Sequence, residues 1–162
     1  MTERIQIDQV HSEAYRRQIR VAQEARTAAE VAGLDDRLIE LVNIRASQIN
    51  GCAACLVVHV REAEKLGETL RRLGVISVWR EAGPLFAEHE RAALELTEIV
   101  TNLPERDAMD ASYARVLAVL SPEQASAVIW LTIAINSFNR ISIMADHLTR
   151  SEVARSRREA GK

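Results

Sequence analysis

The chain has 162 residues with 21 basic and 23 acidic side chains, a size that suits one domain and a charge that argues against a nucleic-acid binder. Hydrophobic residues make up 48% and charged residues 27%, which is the balance of a globular protein rather than a disordered one. With 24 alanines, 6 glycines, 3 prolines and 4% aromatic residues, the composition favours helices over a β-sandwich or barrel.

Capping residues, glycines and apolar periodicity divide the chain into helices. Ser12 is expected to cap the first helix and Gly33 to end it. The dipeptide Asn50-Gly51 predicts a turn after the second helix. The run Ser121-Pro122-Glu123-Gln124 has the residues of a capping box at the start of a long helix. The predicted helices cover about residues 12–32, 36–48, 52–66, 68–81, 87–102, 110–120 and 122–144.

These segments predict an all-α fold. We expect a single-domain bundle of six to seven helices over residues 1–150, with 122–144 as the central buried helix. Residues 151–162 are expected to be a basic, flexible tail at a solvated terminus.

The sequence also predicts where the protein resides. No apolar run reaches the roughly 18 residues that a membrane-spanning helix needs. The N-terminal segment MTERIQIDQV has neither the basic nor the apolar region of a secretory signal. Two cysteines three positions apart cannot staple a secreted fold. We therefore expect a cytoplasmic protein with no membrane partner and no nucleic-acid partner.

A group of reactive side chains lies between residues 40 and 59. Cys52, Cys55 and His59 are spaced so that all three share one face of a helix. Both cysteines directly follow Asn50-Gly51, so they lie in the first helical turn, where unpaired N–H groups and the helix dipole favour a thiolate. His59 is one turn beyond Cys55, and Glu40 can reach the imidazole if the two helices pack antiparallel. Carboxylate, imidazole and thiol in series form an activated nucleophile.

Inert packing, zinc binding and a thioredoxin-type motif would each account for part of this pattern. The cysteines could simply fill the core, or Cys52, Cys55 and His59 could bind zinc with Glu40 as the fourth ligand. Structural zinc sites draw ligand pairs from separate segments, however, and the chain has no second cysteine pair. A thioredoxin-type motif requires preceding strands, whereas residues 37–49 have helical spacing. The remaining histidines lack comparable spacing and are expected at the surface: His11, His89 and His147.

The run RASQINGCAACLVVHVREAEKLGET, at residues 45–69, resembles the alkyl hydroperoxidase D branch of the carboxymuconolactone decarboxylase family. The specific part of the resemblance is the pattern E-x11-C-x2-C-x3-H, which Glu40, Cys52, Cys55 and His59 match in full. The resemblance covers most of residues 12 to 145. It also includes Tyr15 and residues 79–81, 90–94 and 135–140.

The resemblance implies an all-helical homo-oligomer, a trimer or hexamer, with thiol-dependent peroxidase or dithiol–disulfide exchange activity and no cofactor or metal. It implies that Cys55 attacks the peroxide, that Cys52 is its disulfide partner, and that His59 and Glu40 relay protons. In the relative that reduces alkyl hydroperoxides, a lipoylated protein restores the disulfide. The expected partners are therefore an organic or hydrogen peroxide and an external dithiol. This chain departs from that relative at Ala54, where the relative has a histidine.

Two further functions are compatible with the sequence. One is a redox-responsive binding or regulatory protein with little turnover. The other is a decarboxylase acting on a carboxylated lactone, which a cluster of arginines around the site would favour. For the peroxidase, Leu56, Val57 and the region of Trp79 are expected to contact an organic peroxide. Cys52, nearer the helix end, is expected to meet the reductant.

Overall fold

The computed structural model describes residues 4–148, and within that range it contains eight α-helices and two 3₁₀ segments but no strand. The predicted tail at 151–162 lies outside the described residues. The 3₁₀ segments are Ile76–Glu81 and Gly83–Leu85. The helices are α1 (Ile7–Val10), α2 (Ser12–Val31), α3 (Asp36–Asn50), α4 (Ala53–Lys65), α5 (Leu70–Val75), α6 (Glu88–Asn102), α7 (Arg106–Leu117) and α8 (Pro122–Met144).

The all-α prediction is confirmed, but the described part of the chain holds more helices than the six to seven expected. A single turn, α1, precedes α2. The helix predicted at 68–81 is interrupted, because α5 changes to a 3₁₀ segment at Ile76 and Val78 leaves the helical region at φ −121° and ψ 32°. Gly74 and the β-branched residues that follow it disfavour a continued α-helix.

Local capping signals account for most helix ends. The Asp35 carboxylate accepts a hydrogen bond from Leu38 N at 2.8 Å and begins α3. Ser121 and Gln124 form the predicted capping box of α8. Ser12 is not the cap of α2 as predicted. It is already helical, because only His11, at φ −118° and ψ 59°, separates α1 from α2.

The predicted start of α7 also differs. This helix begins at Arg106 rather than near residue 110, since the good helix formers after Pro104 allow an earlier start.

Helix α8 is the central helix, as predicted, and it packs against α2, α3 and α6. Val128 and Leu131 of α8 belong to the main core. A second core beneath the 3₁₀ segments contains Trp79 and Phe86. By length and composition, α8 is also the one helix among residues 4–148 that a bilayer could accommodate. Its position between three other helices is that of a core helix.

Candidate redox site

The site is built on the turn between α3 and α4. Gly51 ends α3 in the left-handed conformation, at φ +68°, which a glycine adopts without strain. Cys52 N then donates to Ser47 O at 2.9 Å, which closes the turn. Cys52 is the N-cap of α4, and its Sγ accepts a hydrogen bond from Cys55 N at 3.3 Å. The first cysteine sulfur therefore lies at the positive end of a helix.

Cys52 and Cys55 are paired as a disulfide, with their Cα atoms 5.4 Å apart. That separation falls in the range in which disulfides form without backbone movement. Cys52 is 1% exposed and Cys55 is 7% exposed. Cys52, which was expected to meet the reductant, is therefore the more deeply buried of the two cysteines. The N-terminal end of α4 is not open, because Cys52 packs in a small cluster with Ala46 of α3 and Ile135 of α8.

Glu40 lies against His59, as the antiparallel packing of α3 and α4 requires. His59 Nδ1 is 2.7 Å from Glu40 Oε2, and Arg26 Nη1 donates to the other carboxylate oxygen at 3.0 Å. Glu40 is 3% exposed. Burial opposes its ionisation, but the hydrogen bonds and charges of His59 and Arg26 outweigh burial and place the pKa of Glu40 below its ordinary value.

The ionised state of Glu40 fixes the proton on the imidazole. A carboxylate only accepts hydrogen bonds, so His59 Nδ1 must carry the hydrogen that joins it to Oε2. In neutral His59 the other nitrogen, Nε2, is then unprotonated and can accept a proton. The pair therefore presents a base whose orientation and tautomer are set by a buried carboxylate.

A cavity of about 570 Å³ adjoins this pair, between α2, α3, α4 and α8. Cys55, His59 and Arg26 all line it. Most of the remaining wall is apolar and includes Ile19, Ile39, Val57, Leu131 and Phe138. Tyr15 packs edge-on against Phe138 with ring centroids 5.9 Å apart. The cavity thus brings a cysteine sulfur and a base to the wall of an apolar space.

Two expectations about the cavity are wrong. Val57 lines it as predicted, but Leu56 and Trp79 belong to the second core, where Trp79 Nε1 donates to Glu98 at 2.9 Å. His147 was expected at the surface, yet it lines the cavity and its Nδ1 is 3.2 Å from Ser142 Oγ.

Both differences arise from packing. His147 follows the end of α8 and its Nε2 lies 3.4 Å from Asp8 Oδ1 of α1, a contact between distant segments that residue spacing alone does not report. The other two histidines, His11 and His89, are exposed as expected.

A buried polar network, which residue spacing did not predict, holds the α3–α4 turn. Asn50 Nδ2 donates to the side-chain oxygens of Asn136 and of Asn139, the latter at 2.9 Å. Asn139 Nδ2 donates to Ser47 Oγ at 3.0 Å, and both of these residues are fully buried. The available signal was a pair of asparagines, three positions apart, inside an otherwise apolar helix. This network ties the residues just before Cys52 to α8.

Arg26 was also missed, because it lies on α2, fourteen residues before Glu40. No local motif links the two residues; only the packing of α2 on α3 does. Within residues 4–148, no group of three or more His, Cys, Asp or Glu side chains is placed to hold a metal ion.

Comparisons with known proteins match this architecture. The profile of the carboxymuconolactone decarboxylase family matches residues 13–98, more than half of the chain and all four predicted site residues. The uncharacterised protein YdfG of Bacillus subtilis (strain 168) is 41% identical over 104 residues, which cover 64% of this chain and 70% of YdfG. The solved structure of ATU0492 from Agrobacterium tumefaciens is also similar, with a TM-score of 0.74 and 33% sequence identity over 88% of this chain and 94% of that one. ATU0492 is a protein of unknown function, provisionally described as the antioxidant defence protein AhpD. The chain therefore belongs to the carboxymuconolactone decarboxylase family, in its alkyl hydroperoxidase D-like branch.

Proposed function

We propose that this protein is a cytoplasmic thiol peroxidase that reduces organic hydroperoxides. The observation that carries the proposal is that Cys55 and His59 line one apolar cavity, while the buried Glu40 carboxylate is hydrogen-bonded to Nδ1 of the His59 imidazole. Family membership and the antioxidant description of ATU0492 support the same class of activity. Cys55 is the nucleophile, Cys52 the resolving cysteine, and His59 with Glu40 the proton relay.

In the oxidation half of the cycle, His59 Nε2 takes the proton of the Cys55 thiol. The thiolate attacks the distal peroxide oxygen, the O–O bond breaks, and the leaving alkoxide receives the proton from His59 and departs as an alcohol. Cys55 is left as a sulfenic acid. The Cys52 thiol then gives up its proton and its sulfur attacks the Cys55 sulfur, the S–S bond forms, and the hydroxyl group takes that proton and leaves as water. The Cα separation of 5.4 Å allows this step with little movement of the backbone.

In the reduction half, an external dithiol returns two electrons and two protons. Because Cys55 lines the cavity and Cys52 is covered, the first thiolate of the reductant attacks Cys55. Cys52 leaves as a thiolate at the N-terminus of α4, where the Cys55 N–H and the helix dipole stabilise it. The second thiol of the reductant then resolves the mixed disulfide. A slender dithiol, such as a lipoyl group on a flexible arm, suits a cysteine residue that is only 7% exposed.

The decarboxylase alternative needs arginines that are free to bind a substrate carboxylate. Among residues 4–148, Arg26 is the one arginine that lines the cavity. Its guanidinium already meets the carboxylates of Glu30, Asp36 and Glu40. The observed charges therefore do not favour a carboxylated lactone.

The deciding experiment measures peroxide consumption by purified protein with cumene hydroperoxide or hydrogen peroxide and with several dithiol donors, dihydrolipoamide among them. We expect dithiol-dependent turnover that the His59→Ala variant slows by roughly 10²- to 10⁴-fold. The matched control is His89→Ala, which removes an exposed histidine and should leave the rate unchanged. A disulfide that forms once and is not turned over by any donor would instead support the redox-responsive regulatory protein.

A further inference from the structure

Three carboxylates surround the guanidinium of Arg26. Nη1 donates to Glu40 Oε1 at 3.0 Å, Nη2 contacts Asp36, and Nε lies 3.4 Å from Glu30 Oε1. Arg26 is 37% exposed and lines the same cavity as Cys55 and His59. Arg26 and His59 therefore contact different oxygens of the same Glu40 carboxylate, Oε1 and Oε2 respectively.

We propose that Arg26 is a positioning residue that holds Glu40 as a fixed carboxylate, so that His59 keeps its hydrogen on Nδ1 and turns an unprotonated Nε2 toward the cavity. The inference rests on the proposed peroxidase function for its effect on rate. The effect on the imidazole itself does not depend on that function.

Glu40 needs such a partner because it is buried. A carboxyl group removed from water favours its neutral form, and the opposite charge beside it reverses that preference. Without Arg26, a protonated Glu40 could donate its own hydrogen to His59 Nδ1. The imidazole hydrogen would then sit on Nε2, and the nitrogen that serves as the base in the proposed cycle could no longer accept a proton. One guanidinium thus selects between a competent and an incompetent tautomer of His59.

The geometry requires an arginine in particular. Asp36 and Glu40 are one turn apart on α3, so their carboxylates lie side by side. A planar guanidinium can donate to both at once, while an ammonium group acts as a single compact charge.

The cluster also carries surplus negative charge, because three carboxylates face one guanidinium. That surplus stabilises the imidazolium that forms when His59 takes the thiol proton.

The test compares reduced wild-type protein with two variants. Arg26→Met removes the positive charge, and Arg26→Lys keeps the charge but lacks the planar guanidinium that donates to two carboxylates at once. Arg45→Met is the matched control, since Arg45 of α3 makes a similarly close pair with Glu98 of α6, at 2.7 Å. Nuclear magnetic resonance of isotope-labelled histidine reports the tautomer of His59, whose signal is assigned from its loss in His59→Ala.

At mildly alkaline pH we expect the Nδ1–H tautomer in wild type and in Arg45→Met, a mixture in Arg26→Met, and an intermediate ratio in Arg26→Lys. A purely structural role for Arg26 would lower the melting temperature and leave the tautomer ratio unchanged. A wild-type ratio in Arg26→Met would overturn the proposal. If circular dichroism shows that Arg26→Met does not fold, the ratio in Arg26→Lys decides by the same criterion.

Peroxide consumption by the same variants separates this inference from the proposed function. We expect Arg26→Met to slow consumption about tenfold, as a displaced catalytic group does. An altered tautomer with a wild-type rate would overturn the positioning role. If wild type consumes no peroxide but the tautomer still depends on Arg26, the peroxidase proposal fails, while the control of His59 by Arg26 is supported.

Discussion

Replacing Glu40 by glutamine tests the relay most directly. Both Glu40 oxygens accept hydrogen bonds, one from Arg26 and one from His59. Glutamine has the same shape but offers one acceptor and one donor group, so it can satisfy only one of these partners. If Arg26 donates to the amide oxygen of the glutamine, the amide NH₂ faces His59 Nδ1. The NH₂ group donates its hydrogen, so Nδ1 must act as the acceptor and the imidazole hydrogen must lie on Nε2. The base would then be in the wrong tautomer for Cys55.

The expected loss can be stated for rate and for stability. We expect Glu40→Gln to slow peroxide consumption about 10²-fold, equivalent to about 2.7 kcal/mol of barrier. His59→Ala should be slower still, because Glu40 orients the base and does not itself transfer the proton. Losing a hydrogen bond to a charged group should lower the free energy of unfolding at neutral pH by about 2 kcal/mol. The loss would be larger if both Glu40 and Arg26 were fully buried. The Arg26 side chain is 37% exposed, however, and it keeps its contacts with the carboxylates of Asp36 and Glu30.

The stability difference should depend on pH in a defined direction. The pKa of Glu40 is depressed in the folded protein, from an ordinary value of 4.5, by His59 and Arg26 acting against burial. The unfolded chain therefore binds the proton first as pH falls. The contribution of the Glu40 charge is complete above about pH 5 and is lost as pH falls through the folded-state pKa. Wild type and Glu40→Gln should therefore converge in stability as pH falls through the folded-state pKa of Glu40.

Urea unfolding at neutral and acidic pH, together with the peroxide assay, measures both effects. Glu98→Gln is the matched control. Glu98 is also largely buried, accepts hydrogen bonds from Arg45 and Trp79, and has a lowered pKa because Arg80, Trp79 and Arg45 outweigh the effect of burial. This control should lose stability and retain the wild-type rate. A Glu40→Gln variant with the wild-type rate, or a stability difference that does not change with pH, would refute the reasoning.

Four further predictions concern the cysteines, the polar network and assembly. Cys52→Ser should react once with peroxide and leave a sulfenic acid on Cys55 that dimedone labels, whereas Cys55→Ser should not react; the opposite result reverses the two roles. Mild oxidation of wild type should remove two hydrogens, by mass spectrometry, from one peptide that contains both cysteines, and free thiols after that treatment would argue against the cycle. Asn139→Ala should lower the free energy of unfolding by about 1 to 3 kcal/mol and slow disulfide formation, because it removes a buried hydrogen-bond partner of Ser47 and Asn50. The control variant, Asn102→Ala at an exposed position, should change the free energy of unfolding by less than about 0.5 kcal/mol. Light scattering should give several times the chain mass of 18.1 kDa, and a clean monomer would contradict the proposed homo-oligomer.

The parts of the structure that the sequence predicted are those fixed by neighbouring residues. Asp35, Gly51 and the Ser121 capping box act within one turn of the chain, so their helix ends could be placed from the sequence. The contact between Glu40 and His59 was also predictable, because a single tight turn forces α3 and α4 to run back along each other.

The parts that were not predicted depend on contacts between distant segments. Arg26 reaches Glu40 from α2, and His147 enters the cavity from the segment that follows α8. Cys52 is covered because Ile135, more than 80 positions later, packs against it. Hydrophobic spacing identifies which face of a helix is buried, but not which helix covers that face.

The asparagines of α8 determine its register. The helix is apolar around most of its circumference, so hydrophobic burial alone would change little if α8 slid or rotated. A shift of one residue moves the helix by about 1.5 Å and turns it by about 100°. Such a shift would separate buried Ser47 and the two buried asparagines, together with half-buried Asn50, from the partners they now have. Leaving these polar groups unpaired costs far more than the apolar contacts would recover. The same helix carries Ile135 against the cysteine pair, so the alignment that satisfies the asparagines also keeps the wall behind the sulfur atoms in place.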